Sequence, residues 1–200
     1  AFDALGKPVQ IEFKIDGFRM QIHKKDKKIT LFTRRLDNVT KMFKELIPVL
    51  EKHVKGNSYI LDSEIAGYDS KTGRYLPFQM ISQRIKRKYE IEKTAKEFPV
   101  EINVFDIIYY NGKSLISEQL RKRRELLEKI IRQEKKKIVL TKSIVTSDER
   151  EANKFYGEAL SNGLEGVMIK NINSNYIFGR HVGGWIKLKP ILEPLDLVIV

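Results

Sequence analysis

The sequence predicts an α+β domain built mainly of antiparallel sheet. Three observations carry that reading. Strand-type apolar runs dominate, helices are mixed among them irregularly, and no strand–helix–strand repeat recurs along the 200 residues. A doubly wound nucleotide fold is thereby excluded. A chain of this length with 42% hydrophobic residues makes one ordinary domain with a substantial core.

The first elements frame a turn. Val9, Ile11 and Phe13 mark one strand and Met20 and Ile22 the next. Asp16-Gly17 between them is a turn signal, because Gly tolerates positive φ and Asp can bond its own backbone. Lys14 then ends the first strand, Arg19 opens the second, and both overlook one cavity. A plain hairpin with a salt-bridged turn would use the same residues. Residues 28–33 form a third strand, reached across the charged connection 24–28, and Arg34 follows it. Residues 41–53 space Met42, Leu46, Ile47, Val49 and Leu50 for a helix that Pro48 is expected to kink. Residues 59–67 read as a strand with Asp62 and Glu64 on one face. Two such carboxylates are costly if buried unpaired, so they imply a metal or hydroxyl partner.

Residues 77–88 read as a short helix ending in a basic cluster. The run 100–110, bounded by Pro99 and Asn111-Gly112, is a central strand containing Phe105 and Asp106. Residues 117–134 give the clearest helix, with Ser117 as N-cap, Glu118 complementing the dipole, and Leu120, Leu127, Ile130 and Ile131 on one face. Its basic run 121–124 suits either a nucleic-acid patch or a solvated helix face. Residues 138–146 read as one strand, and Ser147-Asp148-Glu149 caps a helix to about Leu160 that stops at Gly163. Two late strands, 165–169 and 185–188, flank a loop rich in Asn, Ser and Gly that holds Arg180 and His181. Period 2 places Lys187 and Lys189 on one face, where two cations call for an anion such as a triphosphate; edge-strand surface lysines would show the same spacing. Residues 195–200 read as a strand without cap or turn. With no initiator Met before Ala1, the chain is expected to be one domain, 1–200, cut from a longer protein.

Lys and Arg number 38 against 26 Asp and Glu, a net charge of +12. That excess suits a polyanionic partner, nucleic acid before an anionic membrane. No apolar run approaches the roughly 18 residues of a membrane-spanning helix, and no signal peptide is recognisable. The absence of Cys excludes disulfides and thiolate metal sites and fits an intracellular protein, cytoplasmic or nuclear. His23, His53 and His181 show no ligand spacing, and neither a Ser-His-Asp order nor a P-loop is present.

Five segments together resemble a known family in its own motif order. They are Lys14-x-Asp16-Gly17-x-Arg19, Leu61-Asp-Ser-Glu64, Val104-Phe-Asp-Ile-Ile-Tyr-Tyr-Asn-Gly112, Glu165-Gly-Val-Met-Ile-Lys170 and Trp185-Ile-Lys-Leu-Lys-Pro190. The set resembles the covalent nucleotidyltransferases, which comprise ATP-dependent DNA ligases, RNA ligases and mRNA capping enzymes. It is most similar to the adenylation domain of an archaeal or eukaryotic-type DNA ligase. The resemblance implies two mainly antiparallel sheets with flanking helices, an ATP-grasp-like arrangement around a nucleotide cleft. It further implies ATP as AMP donor, Mg²⁺, nicked double-stranded DNA as acceptor, and an OB-fold domain following this one. Regions outside the chain would meet a sliding clamp.

By the same resemblance Lys14 attacks the α-phosphate of ATP. A lysine amine must first lose its proton. From an ordinary pKa of about 10.4 this costs roughly 4 to 5 kcal/mol at pH 7, which neighbouring cations reduce. Lys187, Lys189 and Lys170 are the candidate cations. Glu12 would accept from the adenine amino group and Ile15 would bind the nucleotide. Phe105 would stack on the purine, although a long apolar strand also suits it to the core. Glu165 is the first choice of metal ligand. Glu64 would contact the ribose and assist with the metal, Asp62 being the weaker candidate. Asp16 would orient the lysine or the substrate hydroxyl, and Arg19 and Arg34 would bind ribose or the 5′-phosphate of a nick. An RNA ligase or a capping enzyme is the alternative within the family, and a non-catalytic basic nucleic-acid module the alternative outside it. Glu12 and the segment Pro77-Phe-Gln79 with Arg84 favour a DNA ligase.

Overall fold

The computed structural model describes residues 2–86, 91–179 and 184–190. Arg87, Lys88, Arg180, His181 and the expected strand 195–200 lie outside the described residues. The elements run α1 (Phe2–Leu5), β1 (Val9–Lys14), β2 (Phe18–Lys25), β3 (Lys28–Thr33), α2 (Leu46–His53), β4 (Ser58–Gly67), α3 (Phe78–Lys86), α4 (Ile91–Glu97) and β5 (Val100–Tyr110). They continue with β6 (Lys113–Ser114), α5 (Leu120–Ile130), β7 (Ile138–Leu140), β8 (Ser143–Thr146), α6 (Glu149–Ser161), β9 (Gly166–Asn171) and β10 (Trp185–Leu188).

The strands form two sheets, one of four strands in the order β10-β9-β1-β8 and one of six in the order β3-β2-β4-β5-β6, with β7 beside β5. Every pairing is antiparallel except β5 with β7. Alternation decides each face. On β2, Phe18, Met20 and Ile22 enter the core while Arg19, Gln21 and His23 face the other way. The larger core lies between the six-stranded sheet and Leu46, Leu50, Ile81, Leu127 and Ile130 of the helices. The smaller joins Val9, Ile11, Val167 and Ile169 to Phe155 and Ala159 of α6.

The chain changes sheet twice; the first crossing sets aside the plain-hairpin alternative, and the second corrects the reading of 138–146 as one strand. Strands β1 and β2 are not a hairpin: β1 pairs with β8 and β9, β2 with β3 and β4. Asp16-Gly17 is therefore the bridge between sheets. Gly17 is required by space, since a Cβ there would lie 2.3 Å from the Ile65 carbonyl oxygen. Residues 138–146 likewise divide, β7 joining β5 and β8 joining β1. Hydrophobic period alone does not say which sheet a strand enters.

Two helix ends also differ. Pro48 is the third residue of α2, after an N-cap at Glu45. It falls in the first turn, where its missing N–H needs no partner. Helix α5 starts at Leu120 with Gln119, not Ser117, at its N-cap. Its first amides donate instead to the loop after β9, Leu120 N to Ser174 O at 2.9 Å and Arg121 N to Ile172 O at 3.0 Å. A distant segment does the capping, which no local signal announces.

Candidate active site

The two crossings leave a cleft of about 880 Å³ between the sheets. It is lined by Glu12, Lys14, Ile15, Asp16, Gly17, Arg19, Arg34, Glu64, Phe105, Glu165, Lys170 and Lys187, all candidates from the sequence. Lys189 stands beside it through its bond to Glu165, and Thr141, Met168 and Trp185 complete walls to which the sequence reading gave no role.

Lys14, the last residue of β1, is the register partner of Gly166 on β9. The Glu165 amide donates to the Lys14 carbonyl at 3.0 Å, and the Glu165 carboxylate receives the Lys14 ammonium. Its other oxygen receives Lys189 Nζ at 3.0 Å. Burial, and then the Lys189 charge, draw the Lys14 ammonium below its ordinary pKa. Lys187 adds to this, while Glu64 and Asp16 oppose it.

Two residues earlier on the same strand, Glu12, 2% exposed, accepts from Gln10 Nε2 at 2.5 Å and from Lys170 Nζ. Lys170 lies 4.1 Å from the Trp185 ring centre and 5.1 Å from that of Phe105. This revises the part expected of Lys170. It is not a cation beside Lys14 but the buried partner of Glu12, stabilised over two aromatic faces. A carboxylate has more lone pairs than these donors use, so Glu12 retains acceptor capacity toward the cleft.

Phe105 owes its place to a register fault. Asp62 pairs with Asp106 and Ser63 with Val104, so Phe105 is the extra residue of a β-bulge. A bulge re-aims its side chain out of the sheet's alternation. Here it brings the ring against Trp185, edge to face, with centres 6.4 Å apart.

The carboxylates of β4 divide in role. Asp62 is fully buried, and its oxygens are taken by Arg19 and the Tyr176 hydroxyl. Burial pushes the Glu64 carboxyl up to about 7, with Asp62 and Asp16 adding and Lys14 and Arg19 opposing. Near neutral pH Glu64 therefore exists in both forms and can accept from, or donate to, a sugar hydroxyl. Asp16 accepts the amide of Phe78, first residue of α3, at 3.0 Å, so one of its oxygens fixes a helix and the other lines the cleft. Arg34 is exposed at the mouth. Of the basic run on α5, Arg123 is buried on Asp106, Arg124 meets Glu128 and the Thr141 carbonyl, and Lys122 meets Glu118. The run is therefore divided, Arg123 and Arg124 turned inward on partners and Arg121 and Lys122 exposed on the solvated face. The sequence reading missed Tyr176, a lone tyrosine in a polar loop.

Among the described residues no three His, Cys, Asp or Glu gather as a ready-made metal cage. Glu64 and Glu165 nevertheless line the same cleft as hard oxygen donors. That set fits Mg²⁺, which keeps several waters and needs only one or two carboxylates. No helix among the described residues is long and apolar enough to cross a membrane.

Comparison with known proteins places this architecture. Two antiparallel sheets around such a cleft match mycobacterial DNA ligase D complexed with ATP and MES, with a TM-score of 0.69 at 24% identity over 94% of this chain and 56% of that one. They also match Chlorella virus DNA ligase-adenylate, with a TM-score of 0.62 at 20% identity over 94% and 65%. These likenesses concern the fold. The family described as the ATP dependent DNA ligase domain matches residues 1–189, and the chain belongs to it. The DNA ligase of Nanoarchaeum equitans is 52% identical over 200 residues, which is 100% of this chain and 35% of the relative. DNA ligase 2 of Methanosarcina acetivorans is 43% identical over 197 residues, 97% of this chain and 34% of the relative. The chain thus spans about a third of the length of these curated relatives.

Proposed function

We propose that the chain is the adenylation domain of an ATP-dependent DNA ligase. The observation that carries this is the placement of Lys14 in one cleft with the buried acceptor Glu12, two residues before it on β1, and with the aromatic walls Phe105 and Trp185. Lys14 Nζ, once deprotonated, attacks the α-phosphorus of ATP. A P–N bond forms, the α–β bridging P–O bond breaks, and pyrophosphate leaves. Lys187 and Lys189 favour the neutral amine and offset charge on the phosphate oxygens. Glu12 accepts from the adenine amino group and repels a guanine carbonyl, which favours ATP over GTP. Glu64 meets the ribose. An oxygen of a nick's 5′-phosphate then takes AMP from Lys14, and the 3′-hydroxyl displaces AMP to seal the strand. A Mg²⁺ ion would be held by Glu165 and Glu64 and would supply charge balance at the phosphoryl oxygens.

The net charge of +12 supports a duplex as the second substrate, with binding that falls steeply as salt rises. Since the curated relatives are nearly three times longer, we infer that sealing draws on further domains, an OB-fold among them, that close around DNA and orient pyrophosphate. Incubation with ATP and Mg²⁺ followed by intact-mass measurement tests the reading, on this chain and on a longer protein that carries it together with the following domain: gain of one AMP per chain in either supports it, slow in the first and fast in the second, and an unchanged mass in both refutes it.

A further inference from the structure

Asp62 of β4 and Asp106 of β5 are register partners, and both are fully buried. Two adjacent buried carboxylates demand two cations. Arg19 supplies one, with Nε donating to Asp62 Oδ1 at 2.8 Å and Nη2 to Oδ2 at 2.5 Å. Arg123 supplies the other, with Nε donating to Asp106 Oδ1 at 2.7 Å and Nη2 to Oδ2 at 3.0 Å. Tyr176 stands between the two clamps. Its hydroxyl donates to Asp62 Oδ2 at 2.7 Å and accepts from Arg19 Nη2 at 2.7 Å, and its ring centre lies 5.8 Å from the Arg123 guanidinium carbon.

Tyr176 arrives from the other sheet's connection, in the loop that follows β9. That loop is pinned to α5 and its approach: the Tyr176 amide donates to the Ile116 carbonyl at 2.9 Å, and Arg123 Nη1 donates to the Ser174 carbonyl at 3.3 Å. A hydroxyl carried by the four-stranded side thus locks an arginine carried by the six-stranded side. A bidentate Arg–Asp pair alone can swing with the carboxylate torsion, whereas a third point joining both partners fixes the plane. Asp62 and Tyr176 between them occupy Nε and Nη2, which leaves Nη1 as the edge of Arg19 turned to other ligands. The Arg19 side chain is 34% exposed and lines the cleft. Burial, followed by the Asp62 charge, raises the Tyr176 phenol, so its hydroxyl keeps the proton it donates.

We propose that Tyr176 is a positioning residue for Arg19, holding the guanidinium so that its Nη1 edge meets a ribose or phosphate oxygen of the substrate. This rests on the nucleotidyl-transfer reading above. Tyr176→Phe deletes only the hydroxyl and should lower the melting temperature by less than about 5 °C. Two steps are then timed in the wild type, Tyr176→Phe, Arg19→Ala and the double variant: AMP attachment across ATP concentrations, and AMP transfer from purified lysyl-AMP protein to a nicked duplex. A roughly tenfold loss in Tyr176→Phe is expected in one step. A raised KM for ATP in attachment identifies the ribose as the contact; slowed transfer to the nick identifies the 5′-phosphate. In the Arg19→Ala background the same substitution should change neither step further. Rates within twofold of wild type in both steps would overturn the proposal, as would a loss that persists at full size without Arg19. If the wild type acquires no AMP, the functional reading itself fails and the proposal with it, an outcome distinct from a silent Tyr176→Phe.

Discussion

Lys14 and Glu165 are 151 residues apart in sequence, yet they touch in the cleft because β1 and β9 pair with Lys14 opposite Gly166. The contact sets the lysine amine against a carboxylate, while burial and then Lys189 draw its ammonium below the ordinary pKa. The proposed nucleophile is thus placed by strand register and held by a carboxylate with a second partner in Lys189.

Lys14→Arg should abolish AMP attachment and leave the fold intact. Arginine keeps the charge that Glu165 receives but does not lose its proton, so it cannot attack phosphorus. Intact-mass measurement after ATP, beside a thermal melt within a few degrees of wild type, checks both halves. An AMP adduct on the Arg variant would assign the nucleophile elsewhere.

Glu12→Ala should reduce the preference for ATP over GTP by roughly 10- to 100-fold, since a hydrogen-bonded discrimination is removed. It should also cost stability. Lys170, 1% exposed, loses its carboxylate partner, and breaking a buried pair costs about 3–5 kcal/mol, or roughly 6–20 °C in melting temperature. Competition between the two nucleotides and a melting curve measure the two effects separately. An unchanged ATP/GTP ratio would move base recognition away from Glu12.

Gly17→Ala should destabilise by about 1–3 kcal/mol, because the new methyl would meet backbone, the Ile65 carbonyl oxygen, with the Glu64 Cγ at 3.1 Å. Denaturant unfolding gives the stability. Nucleotide binding should weaken with it, since the crossing between the sheets must open to admit the methyl. Wild-type stability would show that the bridge is not tightly packed.

Within the basic run of α5, neighbouring residues should behave oppositely. Arg123→Met strands Asp106 as an uncompensated buried charge and should cost about 3–5 kcal/mol. Lys122→Ala breaks only an exposed contact with Glu118 at 3.6 Å and should change stability by less than about 0.5 kcal/mol. Equal effects in unfolding curves would contradict the division of the run into a buried Arg123 and an exposed Lys122.

Alternation and motif order made much of this legible. The turn placed Lys14 and Arg19 together and period 2 set Lys187 facing an anion, but it was the resemblance in motif order that implied one cleft for these residues with Glu64 and Glu165. What stayed hidden was set by tertiary partners. The sheet that a strand joins depends on pairing energies spread over the chain, so the β1–β2 crossing looked like a hairpin turn. Phe105 alternates like a core residue until its bulge turns it into the cleft, and Lys170 reads as a phosphate cation until its pair with Glu12 is seen. The run at 121–124 gives no sign that Arg123 enters the core, since the charge it neutralises, Asp106, lies on another element. Tyr176 left no pattern at all, because one hydroxyl in an irregular loop has no period to betray it.

The most direct test is peptide mapping of the protein after reaction with ATP and Mg²⁺, under conditions that preserve the acid-labile P–N bond. AMP is expected on the peptide containing Lys14 and on no other. An adduct on any other lysine, or none even when the following domain is joined to this one, would contradict the assignment of Lys14 as the residue that carries the nucleotide.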